Sequence, residues 1–344
     1  MPAGRTVPVH PIELPPGHPR YGTGVETIDD VGEFGLIARV LARLPLTDPD
    51  TLVPSGDDAA VLAIPDGRLV TSTDLLLEGR HFRRDWSSAR DVGHKAAAQN
   101  FSDIAAMGGV PTALLLALVL PGDLPVAWVE EFAEGVAAEC APLGAVVAGG
   151  DMVRGELITI SVTVFGTLEG RPPVLRSGAR PGDAVCVAGR LGWSAAGLEL
   201  LAAGIGGGDE ASVGGTMADF LLAHRRPRPP YAAGPEAARA GATAMLDVSD
   251  GLLADLEHIA AASEVAVDIE SASVPTAEGL RLDQVLTGGE DHALVATFGP
   301  ATPIPAGWRR IGVVGEIGAG APGVTVDGKP WDGPGGFSHF GPRE

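Results

Sequence analysis

The sequence TSTDLLLEGRHF, residues 71–82, combines a predicted strand with acidic and histidine side chains. Residues 69–73 are mostly β-branched or apolar, which predicts a strand. Asp74, Glu78 and His81 follow within eight residues. Hydroxyl groups and a carboxylate at a strand end, with an imidazole one loop later, are able to hold a hard cation and an anionic ligand together, because Mg²⁺ prefers oxygen ligands. Taken alone, however, such a stretch is more often an ordinary acidic loop.

Similar acidic positions recur along the chain, next to apolar segments that are predicted strands. Most of them stand beside Gly, Ser or Thr at a strand end or tight turn, and one lies on a predicted helix, a single turn from Asn100. Carboxylates that converge on one place repel each other unless cations lie between them. The pattern therefore favours a site for several Mg²⁺ ions over six unrelated acidic turns. The six positions are Asp58, Asp74, Asp103, Asp151, Asp247 and Asp250.

Composition restricts the class of protein. A chain of 344 residues with 45% hydrophobic residues fits two domains of average size. The net charge of −20 argues against a nucleic-acid partner, which needs a basic surface. Cys140 and Cys186 both lie in apolar segments, which suits a reducing, cytoplasmic location. The longest apolar run, residues 113–120, is too short to span a bilayer, so no membrane partner is expected.

The order of predicted elements divides the chain into three parts. Residues 1–28 are rich in proline and glycine and are predicted to form a disordered extension. Residues 29–170 alternate helices and strands in an order that predicts an α+β domain with a mixed sheet covered by helices. Residues 171–344 repeat a plan of strands that end in glycine and aspartate, each followed by a helix, and predict an α/β domain.

The familiar nucleotide-binding motifs are absent from the sequence. There is no GxxxxGK[ST] loop, and Lys95 and Lys329 are the only lysines. The glycine-rich loop, HRD and DFG set of the protein kinases is also missing. A phosphoryl-transfer enzyme with this sequence would therefore use a different scaffold.

Eight segments, taken together and in order, resemble the thiamine-monophosphate kinases, which belong to the ATP-using superfamily of the aminoimidazole ribonucleotide synthetases. The resemblance covers about residues 32–340. A single motif such as GGD is weak, whereas eight in the same order are specific. The segments are GEFGLIAR, GDDAAVL, TSTDLLLEGRHF, GHKAAAQNFSDIAAMGGVP, GGDMVRG, RSGARPGD, LDVSDGLLADL and GGEDH.

The resemblance implies transfer of the ATP γ-phosphoryl group to thiamine monophosphate at a site that holds several Mg²⁺ ions. It also implies a homodimer formed through the N-terminal domain, with the active site between the two domains. Asp74, Asp103, Asp151 and Asp250 would be catalytic. Carried over residue by residue, the expected magnesium ligands are Asp58, Ser72, Thr73, Asp74, Asp103, Asp151, Asp247 and Asp250. The expected ATP contacts are Gly150, Arg176 and Ser249, and the expected thiamine-phosphate contacts are His81, Glu290 and Phe337.

Several alternatives remain open at this point. The family usually has tyrosine after GGED, where this chain has His292, a departure that concerns the substrate pocket rather than the chemistry. His81, Arg176 and Phe337 each have an ordinary structural explanation as a loop, turn or core residue. The chain also fits another enzyme of the same superfamily, or an inactive protein that binds nucleotide or thiamine phosphate. The retained aspartates argue against the inactive protein.

Overall fold

The computed structural model describes residues 24–55, 59–207, 213–317, 322–333 and 335–336, which form two domains, each with one main sheet; a smaller, two-stranded sheet belongs to the first domain as well. The family resemblance predicted two domains of this kind, and the prediction is confirmed. The first domain contains α1 (Ile28–Leu41), β1 (Thr51–Val53), β2 (Val61–Leu62), β3 (Val70–Leu77), α2 (Ala89–Ala106), β4 (Val110–Leu120), α3 (Val126–Cys140), β5 (Val146–Arg154) and β6 (Thr159–Thr167).

The main sheet of the first domain has the strand order β3-β6-β4-β5, with β4 and β5 parallel and the other pairs antiparallel. Its inner face carries Leu76, Leu116, Ile160 and Val162, which belong to the same buried core as residues of α2 and α3. Side chains alternate between the faces of a strand. The outer face of this sheet is covered by no described helix and stays partly exposed.

The second domain contains β7 (Ala184–Ala188), α4 (Trp193–Ala202), α5 (Thr216–Arg225), α6 (Ala233–Ala240), β8 (Ala244–Val248), α7 (Leu252–Ser263), β9 (Ala266–Ile269), α8 (Leu282–Thr287), β10 (Ala293–Phe298), β11 (Arg309–Gly315) and β12 (Gly323–Val326). The sheet order is β12-β9-β11-β7-β10-β8. Only β12 and β9 pair in parallel. The predicted alternation of strands and helices is present, but the pairing is mostly antiparallel rather than that of a parallel α/β sheet.

Helix α2 lies between the two domains and is buried on nearly every side. Ala105 and Ala106 at its C-terminal end belong to a core cluster whose other members come from the second domain. The backbone of Gly234 in α6 lies against the carbonyl of Ala105, so closely that a side chain there would clash. The two domains are therefore packed through this helix.

The extension predicted for residues 1–28 agrees only in part with the structure. Residues 1–23 lie outside the described residues. Residues 24–28 are placed, because Thr27 forms a β-bridge with Pro125 and the amide of Ile28 donates to the carbonyl of Leu124 at 3.0 Å. Helix α1 therefore begins at Ile28, earlier than the sequence indicated, and continues across a break at Gly32.

The connection between the two sheets runs from the end of β6 at Thr167 to the start of β7 at Ala184. The boundary predicted at residues 170 and 171 lies within this connection. Within the described ranges, no helix is both long and apolar enough to cross a membrane.

The packing of α2 against α3 depends on two glycines and yields a stability prediction. A Cβ atom at Gly93 would clash with the carbonyl of Phe132, and one at Gly135 would clash with the carbonyl of Arg90. We expect Gly93→Ala or Gly135→Ala to lower the free energy of unfolding by about 1–3 kcal/mol, because the helices have to move apart. Urea unfolding followed by circular dichroism measures the change.

A matched control is available in α1. A Cβ atom at Gly35 would meet only Val31, at an ordinary 3.4 Å. Gly35→Ala should therefore be neutral or stabilise the protein by up to about 1 kcal/mol. Equal effects at Gly35 and Gly93 would show that the close helix contact is not what the glycines serve.

Candidate active site

A cleft of about 620 Å³ opens between the two domains. Its volume falls in the usual range for small-molecule sites, about 300–1,000 Å³. Most of the predicted site residues that the structure describes line this cleft. Those that do are Asp74, His81, Asp103, Asp247, Ser249, Asp250 and Glu290.

The first domain supplies two carboxylates to the cleft, Asp74 from β3 and Asp103 from α2. Asp74 is held from two sides, because its amide donates to Asn100 Oδ1 at 3.1 Å and its Oδ2 accepts from Gln99 Nε2 at 3.1 Å. Ser72 precedes Asp74 on the same face of the strand and donates to Asp103 Oδ2 at 2.7 Å. Asp74 lies within β3 rather than at the predicted strand end, and β3 and α2 together fix both carboxylates.

The second domain supplies its carboxylates from the end of β8 and the turn that follows. Asp247 is buried, and its Oδ2 lies 3.1 Å from His292 Nδ1. Ser249 and Asp250 follow in the turn before α7 and also line the cleft. Strand β8 pairs with β10, which starts directly after His292, so the sheet itself brings His292 beside Asp247.

The carboxylates lie close enough to affect one another. Burial raises the pKa of Asp103 to about 7, and the negative charges of Asp247 and Asp74 contribute to the rise. Burial alone would lower the pKa of His292, but the hydrogen bond and the charge of Asp247 raise it above its ordinary value. This end of the cleft thus has a surplus of negative charge, which a cation would relieve.

Two helices of the second domain begin next to the cleft, and the chain's own carboxylates occupy both N-termini. Asp291 accepts from the amides of Gly192 and Ser194 at the start of α4, at 2.6 and 2.8 Å. Asp255 accepts from the amides of Asp250 and Gly251 at the start of α7, at 3.0 and 3.1 Å. Helix N-termini often bind phosphate, but these amides already have carboxyl partners, whose pKa values burial raises to about 7.

The donor atoms at the acidic end suit magnesium. Among the described residues, no three His, Cys, Asp or Glu side chains stand at the spacing of a closed metal site. Mg²⁺ does not require one, because it is usually bound by one or two carboxylates together with phosphate and water. The residues able to hold it here are Asp74, Asp103, Asp247 and Asp250.

A second group in the lining of the cleft combines histidine and glutamate, with Lys95 behind them. His81 Nδ1 accepts from the amide of Leu77 at 2.9 Å, and Glu290 Oε1 lies 2.8 Å from Lys95 Nζ. The buried His224 places Nδ1 3.0 Å from Ser194 Oγ and 3.6 Å from Glu290 Oε2. Because Ser194 and Glu290 approach the same nitrogen, this group lacks the geometry of a catalytic triad.

Five of the predicted site residues that the structure describes do not line this cleft. Ser72 is one of them, although its hydroxyl donates to Asp103 Oδ2. Asp151 and Gly150 lie on β5, at the opposite edge of the sheet from β3. Thr73 faces away from the cleft and bonds Thr163 and the carbonyl of Val162. Arg176 is exposed in the connection before β7, where its carbonyl accepts from Ser263. Asp58 and Phe337 lie outside the described residues.

The sequence also contained residues of this site that its interpretation missed. Asp91, Lys95, Gln99 and Asp103 recur every four positions in an alanine-rich helix, and residues four apart share one face. Only Asp103 and its neighbour Asn100 were singled out. That spacing was the signal available for Lys95 and Gln99. His292 was noted only as a departure from the family pattern.

Comparisons with known proteins agree with this architecture. Residues 56–168 match the family model "AIR synthase related protein, N-terminal domain", and residues 180–298 match its C-terminal counterpart. A thiamine-monophosphate kinase of Mycobacterium tuberculosis is 44% identical over 92% of this chain and 93% of its own length.

Two solved structures are similar over most of the chain. One is the thiamine-monophosphate kinase of Stenotrophomonas maltophilia, with 35% identity and a TM-score of 0.72 over 86% of this chain and 95% of the other. The second is "AaThiL complexed with AMPPCP and TMP", with 34% identity and a TM-score of 0.71 over 92% of this chain and all of the other.

The raised pKa of Asp103 predicts how the metal-free protein responds to loss of that charge. A carboxylate whose pKa rises on folding destabilises the folded state as the pH rises towards and above that pKa. We expect Asp103→Asn, in the presence of a chelator, to raise Tm by about 2–4 °C at pH 8. The gain should be smaller at pH 5.5, where the Asp103 carboxyl is mostly protonated. Differential scanning calorimetry at both pH values tests this.

The exposed Asp123, in the turn before α3, provides the control for this measurement. Asp123→Asn should leave Tm nearly unchanged at either pH. A pH-independent gain for Asp103→Asn, or an equal gain for Asp123→Asn, would contradict the account of the acidic cluster.

Proposed function

The chain belongs to the thiamine-monophosphate kinase family, and we propose that it transfers the γ-phosphoryl group of ATP to the phosphate of thiamine monophosphate, giving thiamine diphosphate and ADP. The observation that carries this proposal is the cleft between the domains, which has a carboxylate-rich end and a recognition end with His81 and Glu290. The structure of a relative in complex with AMPPCP and TMP supports it.

The charge of the reactants explains why the residues at the acidic end would suffice for transfer. A phosphate monoester at pH 7 is already mostly a dianion, with a second pKa near 6, so the acceptor needs no strong general base. It needs instead charge neutralisation and in-line positioning. When bound, Mg²⁺ supplies the neutralising charge, and Asp74, Asp103, Asp247 and Asp250 would hold it. Ser249, beside them, would contact the nucleotide.

The recognition end would orient the acceptor. Glu290 presents a carboxylate that can accept from the amino group of the thiamine pyrimidine, and His81 lies at the same end. Binding the heterocycle there leaves the phosphate of thiamine monophosphate directed towards the carboxylates. Arg176 and Phe337, implied by the family resemblance, stay predictions, as does a cytoplasmic location.

A homodimer is part of the proposal because the outer face of the first sheet is uncovered. Leu75 and Val153 on this face are each 51% exposed and Leu115 is 36% exposed, an apolar content that suits a second copy of the chain. Asp151 lies in register with Ala117, Ser161 and Leu75 across the sheet, and so belongs to this outer face.

The position of Asp151 gives the dimer a functional role. Three strand spacings, roughly 14 Å, separate β5 from β3, and Asp74 points to the inner face. Asp151 is therefore far from the cleft of its own chain. We propose that the second copy covers the outer face and that β5 of one copy approaches β3 of the other, so that Asp151 completes the acidic end of its partner's cleft.

The first experiment is an assay with ATP, Mg²⁺ and thiamine monophosphate, with unphosphorylated thiamine and aminoimidazole-pathway substrates in parallel. Thiamine diphosphate and ADP in equal amounts are expected only with Mg²⁺. Asp74→Asn and Asp250→Asn should lower kcat about 100-fold or more, because a ligand of the neutralising cation is lost. The exposed Glu257 of α7 provides a control, and Glu257→Gln should retain full activity.

Other outcomes of this assay would change the assignment. ATP consumption with another substrate alone would move the function to a sibling enzyme of the superfamily. Nucleotide binding without any turnover would identify an inactive binding protein. Near-normal activity of Asp74→Asn or Asp250→Asn would contradict the assignment of these residues as metal ligands.

A second experiment tests the shared site by complementation. Asp74→Asn and Asp151→Asn, each inactive alone, are co-expressed so that mixed dimers form. If Asp151 acts in the partner's cleft, each mixed dimer has one intact site, and about a quarter of wild-type activity should return for random pairing of a two-fold symmetric dimer. The control pair, Asp74→Asn with Asp250→Asn, should recover nothing. Absence of recovery in the first pair would contradict a site shared between subunits.

A further inference from the structure

We propose that Lys95 is a positioning residue for substrate recognition. Lys95 lies behind the cleft and holds Glu290 of one domain and the loop with His81 of the other domain at a fixed separation. In this position, Glu290 meets the amino group of the thiamine pyrimidine. This inference rests on the proposed function. It assigns a role to a residue that does not line the cleft.

The geometry places Lys95 between the two recognition residues. Its ammonium Nζ lies 2.8 Å from Glu290 Oε1 and donates to the carbonyl oxygen of His81 at 3.2 Å. Lys95 belongs to α2 in the first domain, whereas Glu290 lies in the turn before β10 in the second. Its side chain is only 3% exposed, while that of Glu290 is 34% exposed at the cleft. Lys95 therefore acts on the substrate only through its partners.

The positive charge beside Glu290 keeps its carboxylate ionised, so this side chain can only accept hydrogen bonds. Burial alone would raise the pKa of Glu290, but the ammonium of Lys95, with a smaller contribution from His224, lowers it to about 2. Burial and the charge of Lys95 lower the pKa of His224 to about 4, so this imidazole is neutral at pH 7. An ionised carboxylate accepts hydrogen bonds and donates none. The recognition end is thus suited to a ligand that donates from an amino group.

The backbone of the turn supports the same role. Glu290 has a φ of 64° and His292 a φ of 53°, in the left-handed region that residues other than glycine seldom adopt. The amide of Glu290 donates to the carbonyl of Ser249 at 2.8 Å, which fixes the turn to the loop that carries Asp250. The Lys95 ion pair then fixes the direction of the Glu290 side chain from this constrained turn.

A second ion pair on the same helix serves as the matched control. Asp91, one turn before Lys95, pairs with Arg226 of the second domain. It also joins the two domains through α2, but neither residue lines the cleft. If Lys95 had only a structural role, loss of the Lys95–Glu290 pair and loss of the Asp91–Arg226 pair would affect substrate recognition equally.

The experiment compares Lys95→Met, Lys95→Arg and Arg226→Met in the full-length enzyme. The KM values for thiamine monophosphate and for ATP, and kcat, are measured from ADP release. Turnover of the 4′-deamino analogue of thiamine monophosphate, which lacks the amino group, is measured in parallel. For Lys95→Met, KM for thiamine monophosphate should rise about 10- to 100-fold, as expected for loss of a hydrogen bond to a charged group. KM for ATP should change less than about twofold.

Discrimination gives the specific readout. The wild type should prefer thiamine monophosphate over its deamino analogue by about 10-fold or more. With the analogue, the Glu290 carboxylate has no amino group from which to accept a hydrogen bond. Lys95→Met should lose most of this preference, and Lys95→Arg should retain part of it. Arg226→Met should lower Tm and leave the preference unchanged.

The possible outcomes separate this inference from the proposed function. If the wild type converts thiamine monophosphate and Lys95→Met keeps both KM and the preference, the inference is overturned and the function stands. An equal loss of preference in Arg226→Met would also overturn it. If the wild type does not convert thiamine monophosphate, the proposed function falls, and the inference with it.

Glu290→Gln covers the case in which Lys95→Met does not fold. Glutamine keeps an oxygen for Lys95 but loses the ionised acceptor. This variant should lose most of the preference for thiamine monophosphate over the deamino analogue, and Lys95→Arg should lose part of it. Full wild-type preference in both variants would overturn the inference.

Discussion

Burial of α2 between the two domains is the constraint on which the rest of the structure depends. A charged or amide side chain in such a position is costly unless it finds a partner. The stripe Asp91, Lys95, Gln99 and Asp103 meets this requirement with partners from both domains. One helix therefore sets the separation of the domains and at the same time orients the carboxylates and the recognition residues of the cleft.

The cleft that results is divided by charge. Carboxylates from β3, α2 and the turn after β8 form one group in its lining, and His81, His224 and Glu290, the last paired with Lys95, form another. This division suits a pair of anionic reactants of which one also has a heterocycle to be recognised. Under the proposed function, the phosphates of both reactants would be drawn to cations held by the carboxylates, while Glu290 and His81 would select the acceptor. The arrangement separates the chemistry from the selection of substrate.

The sequence predicted the local parts of the site better than the parts that depend on tertiary structure. Asp247 and Asp250 were found because strand ends and tight turns have recognisable local patterns. The same pattern found Asp74, although β3 continues to Leu77, and all three residues line the cleft. Helical spacing found Asp103 but missed Lys95, because its partner Glu290 lies on the other domain, far away in the sequence. The direction that Thr73 and Asp151 face is set by strand pairing, and under the proposed function a second copy of the chain would bring Asp151 to a site. The local sequence predicts neither the direction that these side chains face nor whether they reach a site.

Because Asp291 and Asp255 occupy the helix N-termini beside the cleft, the cleft is expected to bind a polyphosphate and a cation only together. Among the described residues, a polyphosphate without a cation meets carboxylates and helix-terminal amides that already have partners, and a cation alone meets no group of three His, Cys, Asp or Glu side chains that could hold it. Under the proposed function, each ligand would supply what the other lacks, and the two would bind together. In a cell, occupancy of the cleft would then follow the concentration of nucleotide complexed with Mg²⁺ rather than the total nucleotide concentration. A fall in available Mg²⁺ would lower the activity even where nucleotide is abundant.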